Sequence, residues 1–166
     1  MAAIAVRHMR HPETARAAVA TLFVLAAALP AGRCTAVNSK TDSFATLAEA
    51  RQAGAIAGGW VPDGLPPGSR EIRAAHVPGT SARWGIVNFP PAEADALRAI
   101  LEPAEVPLDG RRCNMPARIE WWPTEMRGTI NGERLAATGI HGYRSRKGSL
   151  IFAVNWNQGR AYYWSE

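Results

Sequence analysis

The C-terminal end of this 166-residue chain places the tightest limit on its fold. Residues 149–156 and 160–164 are rich in aromatic and β-branched side chains, which favour strands. Between them, Asn157-Gln158-Gly159 forms a short connection in which the glycine supplies the left-handed conformation that a hairpin turn uses. The pattern predicts a C-terminal antiparallel hairpin.

A second hairpin is predicted nearer the middle of the chain. Residues 70–77 and 82–89 both have the composition of strands, and residues 78–81, with the sequence Pro-Gly-Thr-Ser, suit a tight turn. Because side chains alternate along a strand, Ile72 and Ala74 are expected to share one face.

Two short helices are predicted beside the hairpins. Thr46 and Glu49 fit a capping box, in which each side chain satisfies a free backbone N–H group, and this predicts a helix over residues 47–57. Residues 90–93, with the sequence Pro-Pro-Ala-Glu, predict the start of a second helix that Pro103 ends. We expect this second helix to cover the sheet.

Together these elements predict an α+β domain with one antiparallel sheet, built from two hairpins and covered by one or two helices. Residues 60–69 are too rich in proline and glycine for regular structure, so they predict a stiff loop. We also expect a long loop over residues 102–114, an extended piece over residues 118–122 and a short helix within residues 128–139.

The start of the chain has the pattern of a bacterial secretion signal. Arg7, Arg10 and Arg16 precede an uncharged apolar run at residues 17–29, and a small-residue exit follows at residues 30–32. The apolar run is shorter than the roughly 20 residues that a membrane-spanning helix needs. The pattern therefore predicts export rather than a permanent helical anchor.

Domain organisation follows from this leader. We expect a signal peptide at residues 1–33, a flexible tether at residues 34–43 and a single small α+β domain at residues 44–166. Residues 1–33 contain four arginines and one glutamate, so the formal charge of +5 for the whole chain falls to +2 for the remainder. This nearly balanced domain offers no basic stripe for a phosphate backbone, and we expect no nucleic-acid partner.

Three fates are open to Cys34 and Cys113, the two cysteines of the chain. Bacterial lipoproteins are cut before a cysteine that then carries the lipid, and Cys34 follows the leader, although Arg33 stands where a small residue is usual. Alternatively, the two cysteines pair in an oxidising compartment or both remain unpaired. No cluster of cysteine and histidine predicts a metal site.

One stretch of the sequence carries a recognisable combination of residues. Thr-Leu-Ala-Glu-Ala-Arg at residues 46–51 is followed by Gly-Trp-Val-Pro at residues 59–62 and Ile-Arg at residues 72–73. This combination resembles the YbbD head-domain family of small bacterial exported proteins and lipoproteins, most strongly over residues 44–89, and the aromatic C-terminal hairpin is similar to the end of that family. The resemblance implies an exported or membrane-tethered domain, with no assigned reaction and no defined ligand residues.

No set of residues has the spacing of a known reaction. His76 and His141 are the histidines outside the leader, and neither belongs to a motif with a serine or cysteine nucleophile. The acids that could form a carboxylate pair for glycoside hydrolysis are Asp63, Asp109, Glu120 and Glu125. Their spacing is unconstrained, so we expect no catalytic residue, no cofactor and no metal.

The six tryptophans give the best candidates for binding. Indole rings stack on sugar rings and concentrate in binding hot spots, although a small domain also uses them as core. Trp121 and Trp122 cannot both face inward in an extended piece, so we expect one of them at the surface. The candidate binding residues are Trp60, Trp121 and Trp122. Residues 144–147 (Arg-Ser-Arg-Lys) either contact anionic headgroups or form a solvated turn.

We therefore expect a non-enzymatic binding or accessory protein of the cell envelope, periplasmic or anchored by lipid at Cys34. Its partner would be an envelope protein or a cell-wall component, contacted through the Trp121–Trp122 region or the stiff loop. The alternative is a small envelope hydrolase with an unrecognised site. A hydrolase should have a deep pocket with polar groups around His76 or His141, whereas a binding module should expose an aromatic patch.

Overall fold

The computed structural model of this protein describes residues 38–116 and 118–166. The predicted signal peptide at residues 1–33 and the candidate lipid site Cys34 lie outside the described residues. Seven strands form one large sheet: β1 (Lys40–Thr46), β2 (Arg70–His76), β3 (Arg83–Asn88), β4 (Leu101–Glu105), β7 (Ile140–Ser145), β8 (Leu150–Asn155) and β9 (Arg160–Ser165). Their order is β1-β2-β3-β9-β8-β7-β4, and each neighbouring pair is antiparallel.

Two further strands, β5 (Arg112–Cys113) and β6 (Gly128–Thr129), pair as a small second sheet. The described α-helices are α1 (Leu47–Gln52), α2 (Ala94–Ile100) and α3 (Gly132–Ala137), and single 3₁₀ turns lie at Pro91–Glu93 and Thr124–Met126. None of these described helices has the length and apolar character that a membrane span requires.

Both predicted hairpins are present, and they are neighbours at the centre of the sheet. β2 pairs with β3, β8 pairs with β9, and the two hairpins join through β3 and β9. Gly159, between β8 and β9, has a φ of 62°, which is the left-handed conformation predicted for it. The α+β class with an antiparallel sheet is therefore confirmed.

The sheet is wider than two hairpins, because β1, β4 and β7 join it at its edges. β1 includes residues 40–43, which were predicted as part of a flexible tether. Phe44 stands opposite Ile72 and packs against the core, which anchors this otherwise polar strand. β4 replaces the start of the loop predicted over residues 102–114, and its Pro103 is tolerated because an edge strand does not need every N–H group paired.

Two other local expectations differ from the structure. α1 ends at Gln52 rather than near residue 57, and Gly54 has a φ of 76°, which takes the chain out of helical geometry. Residues 118–122 form turns rather than an extended piece. The second helix and the short helix within residues 128–139 are present as α2 and α3.

The large sheet is covered on both faces, so every residue of β8 is buried. On what we call the front face, Phe152 and Tyr163 pack with Leu97 of α2 and with the stiff loop. On the back face, Ile151 and Trp164 pack against the segment of residues 106–137. Alternation along each strand thus divides one sheet between two hydrophobic cores.

Tyr163 ties the stiff loop to the front face. Its ring crosses over Gly85 of the neighbouring strand, where a Cβ atom would lie 2.1 Å from the ring carbon Cζ. Its hydroxyl donates a hydrogen bond of 2.9 Å to the carbonyl oxygen of Trp60. At the far end of the loop, the backbone N–H of Gly68 donates to the Glu93 carboxylate at 2.7 Å. The loop is therefore fixed at both ends, as its composition predicts.

Candidate binding site

The two adjacent tryptophans have different environments. Trp122 is 2% exposed; its Nε1 donates to the carbonyl oxygen of Met126 at 3.1 Å, and its ring packs edge to face with Tyr162 and Trp164. Trp121 is half-buried and packs against Trp122 at 6.1 Å between ring centroids. As expected, one of the two indoles lies in the core and the other is more accessible. The two side chains point in different directions because the chain turns there, and not because it forms an extended strand.

Trp121 forms one wall of a groove of about 410 Å³ on the back face, which we call the back groove. Its position follows from alternation, because the back-facing residues of β2, β3 and β9 extend past the segment that covers the rest of this face. Among the residues that line it are Glu71, Arg73, Ile86, Asn88, Trp121 and Arg160. The groove thus places an indole opposite planar polar side chains on three strands.

A hydrogen-bonded chain of polar groups runs across the sheet side of the back groove. The side-chain amide of Asn88 donates to the Glu71 carboxylate, and the Asn88 carbonyl oxygen accepts from Nε of Arg160 at 2.8 Å. The carboxylate and guanidinium at the two ends therefore hold the amide in one orientation. The strong donors and acceptors of the groove are positioned before any ligand arrives.

Glu71 carries backbone strain at this site. Its φ of 51° makes it the one non-glycine residue with positive φ in the described part of the chain. The pairing of β2 with β3 shifts register between Arg70 and Arg73, so Glu71 lies in a β-bulge. Left-handed backbone at a non-glycine residue costs about 1–3 kcal/mol and tends to be kept where it positions a functional side chain.

Trp60 does not join Trp121, because it belongs to the front face. Its indole stacks on the ring of His76, with centroids 4.4 Å apart and planes 17° from parallel. Neither Nε1 of Trp60 nor Nδ1 of His76 has a hydrogen-bond partner among the described residues. The two rings therefore cover one another beside a small depression of about 40 Å³ that both residues help to line, and a binding role for Trp60 stays a prediction.

The front face has the larger cavity, of about 490 Å³, which we call the front cleft. The stiff loop forms one side of it, and the turn between β7 and β8 forms another. Arg83, Arg146 and Lys147 are the cations in its wall. The Arg-Ser-Arg-Lys cluster of the sequence thus contributes three of its members, Ser145, Arg146 and Lys147, to the lining of a cavity.

His141 and His76 lie apart, in different surroundings. Nδ1 of His141 lies 3.1 Å from the Glu105 carboxylate, whose other oxygen accepts a hydrogen bond of 3.1 Å from the Tyr143 hydroxyl. The side chains of His141 and Glu105 are 41% and 57% exposed, so this dyad lies in a shallow surface depression. Among the described residues that line the depression, there is no serine, threonine or cysteine.

Cys113 is fully buried in the back-face core and has no disulfide partner among the described residues. Burial raises the pKa of this thiol to about 12, so it remains protonated near neutral pH. Cys34 lies outside the described residues, and the pairing of the two cysteines stays a prediction. In residues 38–116 and 118–166, no three histidine, cysteine or acidic side chains are placed to hold a metal ion.

The sequence marks Trp121 as a candidate binding residue but does not mark the polar residues that accompany it in the back groove. Glu71, Asn88 and Arg160 come from three strands, and only the strand register brings them together. The signal that could have found Asn88 is alternation, since it shares a face with Trp84 and Ile86. No local sequence signal marks Glu71, because no residue pattern distinguishes a glutamate in a β-bulge from one in a regular strand.

No curated protein and no solved structure gives a significant match to this chain. A match was found with the family model of the YbbD head domain, over residues 38–86. This stretch runs from β1 through the stiff loop into β3, and it includes Glu71 and Ile86 of the back groove. The predicted likeness of the C-terminal hairpin lies beyond the match and stays a prediction. Residues 38–86 of this chain are therefore similar to the YbbD head domain, as the sequence pattern indicated.

Proposed function

We propose that this chain is an exported, non-enzymatic binding protein of the cell envelope, and that its back groove binds a carbohydrate of the cell wall. The observation that carries the proposal is the placement of Trp121 beside the fixed chain of Glu71, Asn88 and Arg160. The leader, with its three arginines before an apolar run, supports the location.

A sugar ring has the surface chemistry that this groove complements. It presents an apolar face of C–H groups, on which an indole stacks, and a rim of hydroxyls that both donate and accept hydrogen bonds. Carboxylate, amide and guanidinium groups together provide acceptors and donors for such a rim. The volume of about 410 Å³ lies within the range of about 300–1,000 Å³ that is typical of small-ligand sites.

A hydrolase is the second candidate, and the pair of His141 and Glu105 is the observation that favours it. A carboxylate that orients a histidine is a common part of nucleophilic catalysis, but the histidine must also contact a nucleophile. The described lining of that depression offers none, and both side chains are well exposed to solvent. The back groove therefore supports binding better than this depression supports catalysis.

Binding of the full-length protein to N-acetylglucosamine oligomers, followed by calorimetry, tests the proposal. Trp121→Ala should weaken binding about tenfold or more, because loss of an aromatic anchor at a hot spot removes about 2 kcal/mol or more of binding free energy. Trp156→Ala is the matched control, since Trp156 is half-buried but lies on the front face. Absence of binding by the parent protein, or an equal loss in both variants, would contradict the proposal.

A further inference from the structure

The front cleft has an apolar part and a basic part. Ile56, Pro62 and Ile100 are partly exposed in its wall, next to the buried Val61, Leu150 and Phe152, and the cations supply the basic part. Arg83, Arg146 and Lys147 against the single acid Asp63 give the lining side chains a net charge of +2. An anion attached to an apolar body matches both parts of this surface, whereas a neutral or purely apolar ligand matches one of them.

The three cations of the front cleft are available to a ligand. Across residues 38–116 and 118–166, none of them forms an ion pair with a carboxylate. Asp63, the acid of the cleft, instead accepts a hydrogen bond of 2.9 Å from the backbone N–H of Gly64. The positive charge of the cleft is therefore not balanced from within.

Arg83 lies where the end of β9, the stiff loop and the β7–β8 turn come together. Its backbone N–H donates to the Ser165 hydroxyl at 3.1 Å, and Ser165 is paired with Leu150 across the sheet. Its guanidinium lies between Gly59, which precedes the stiff loop, and Gly148 of the β7–β8 turn, where Cβ atoms would stand 3.9 Å and 3.7 Å from its terminal nitrogens. Its Nε is buried and has no described hydrogen-bond partner. A buried donor of this kind is costly unless something nearby compensates it.

The turn that carries Arg146 and Lys147 is ordered by its own hydrogen bonds. The Ser145 hydroxyl donates to the Lys147 carbonyl oxygen at 2.9 Å and accepts from the Leu150 N–H at 3.2 Å. Nε of Arg146 donates to the Leu101 carbonyl oxygen at 2.7 Å, which leaves the terminal guanidinium nitrogens for another acceptor. This turn is therefore a fixed wall, and binding would not have to order it.

We propose that the front cleft binds a phosphate monoester carried on an apolar body. A phosphate monoester has a charge of about −1.5 to −2 near pH 7, which balances the +2 of the cleft better than one carboxylate does. Its three terminal oxygens accept from the forked guanidinium groups of Arg83 and Arg146 and from the ammonium group of Lys147. The apolar body packs on the partly exposed side chains of Ile56, Pro62 and Ile100.

This proposal does not depend on the back groove, which lies on the other face of the sheet. The ligand chemistry has two sources in a cell envelope, a membrane lipid headgroup and a freely diffusing phosphate monoester. Two probes separate them: hexyl phosphate in solution, and phosphatidylcholine vesicles that contain phosphatidic acid. Binding of hexyl phosphate supports a diffusing ligand, and binding of the vesicles alone supports a membrane lipid.

The full-length protein is titrated with both probes, and with hexanol and inorganic phosphate for comparison. Hexyl phosphate should bind at least tenfold more tightly than either comparison compound, because hexanol supplies only the apolar body and inorganic phosphate only the anion. Arg146→Gln and Lys147→Gln should each weaken binding severalfold, and Arg83→Gln at least tenfold. Arg146 and Lys147 are exposed, so these two variants keep the test valid if Arg83→Gln does not fold.

Arg144→Gln is the matched control. Arg144 belongs to the same cluster, but its guanidinium lies 3.1 Å from the Glu166 carboxylate and does not line the cleft. This variant should bind within twofold of the parent protein. The proposal is overturned if neither probe binds, or if Arg144→Gln loses as much affinity as Arg146→Gln.

Discussion

The two faces of the large sheet share the same strands but differ in chemistry. On β3, Arg83 contributes to the front cleft and Asn88 to the back groove, because alternation and position along the strand separate them. In the front cleft the cations are not balanced, whereas in the back groove Glu71, Asn88 and Arg160 satisfy one another. The lining side chains of the front cleft therefore carry a net charge of +2, whereas those of the back groove, with Arg73 and Arg160 against Glu71, carry +1.

The two sites are also held differently. The front cleft depends on segments that contact the sheet from outside, and Tyr163 fixes the stiff loop through its hydrogen bond to Trp60. The polar wall of the back groove is built on strand residues themselves, with a bulge at Glu71. Substitutions that remove the hydrogen bond between Tyr163 and Trp60 should therefore affect the front cleft more than the back groove.

Gly85→Ala should have the largest effect on stability. The added methyl group would overlap the Tyr163 ring, since a Cβ atom there lies 2.1 Å from Cζ. We expect the free energy of unfolding to fall by about 3 kcal/mol, the upper range for overpacking a core. Chemical denaturation measures this, with Gly79→Ala as control: a Cβ atom at Gly79 would have no contact within 4 Å, and the φ of 77° there limits the expected loss to about 1 kcal/mol of backbone strain. Equal losses in the two variants would contradict the packing argument.

Alkaline pH should unfold the protein partly through one buried group on each face. Burial raises the pKa of Cys113 on the back face from about 9 to about 12, and burial also raises the pKa of Tyr163 on the front face. The unfolded chain releases these protons at lower pH than the folded chain does. The free energy of unfolding therefore falls as pH rises from about 9 towards 12, by up to about 1.4 kcal/mol per pH unit for each group.

Two variants show how much of this loss of stability at alkaline pH comes from the buried group on each face of the sheet. In denaturation curves measured from pH 8 to 11, Cys113→Ala should flatten the decline from about pH 9 upward. Tyr163→Phe should flatten it only above about pH 10, where an unfolded tyrosine ionises. If the curve of Cys113→Ala runs parallel to that of the parent protein, the thiol is not protected by burial.

The central hairpins were predictable because their signals are local. Gly159 in its turn and the aromatic strands around it need no partner to be recognised. β1 was not predictable, because its polar sequence is a strand only through pairing with β2, and the single apolar anchor Phe44 is weak evidence. β4 was missed because Pro103 argues against a strand wherever its position at the sheet edge is unknown.

The candidate sites were predictable only in part, for a related physical reason. Trp121 was found because adjacent tryptophans impose opposite directions in a strand, although the chain turns there instead. Arg83 and Arg146 are distant in sequence. They line one cavity because Ser165, which bonds to Arg83 and pairs with Leu150, brings the first residues of β3 and β8 to the same end of the sheet. Such convergence depends on register, which local composition does not encode.

Tyr163→Phe should separate the two faces functionally. It removes the hydroxyl that donates to Trp60 and leaves that carbonyl oxygen without its partner, at a cost of about 1–3 kcal/mol in unfolding free energy. Hexyl phosphate binding in the front cleft should weaken severalfold, because the loop loses one of its two attachments, the one at Trp60. Binding of N-acetylglucosamine oligomers in the back groove should stay within twofold, and calorimetry measures both. Equal weakening of the two ligands would show that the faces are coupled.

Glu71→Gly should have the smallest effect on stability and the opposite sign. Glycine adopts a φ of 51° without the strain that a side chain imposes, so we expect a gain of about 0.5–1 kcal/mol, reduced by loss of the exposed hydrogen bond with Asn88. Glu71→Gln keeps the strain and should give no such gain. Both variants should weaken binding of N-acetylglucosamine oligomers, since both remove the carboxylate that orients Asn88. A loss of stability in Glu71→Gly would mean that the bulge is held by its side chain, and the strain at Glu71 would then not be the cost of placing a ligand-binding group.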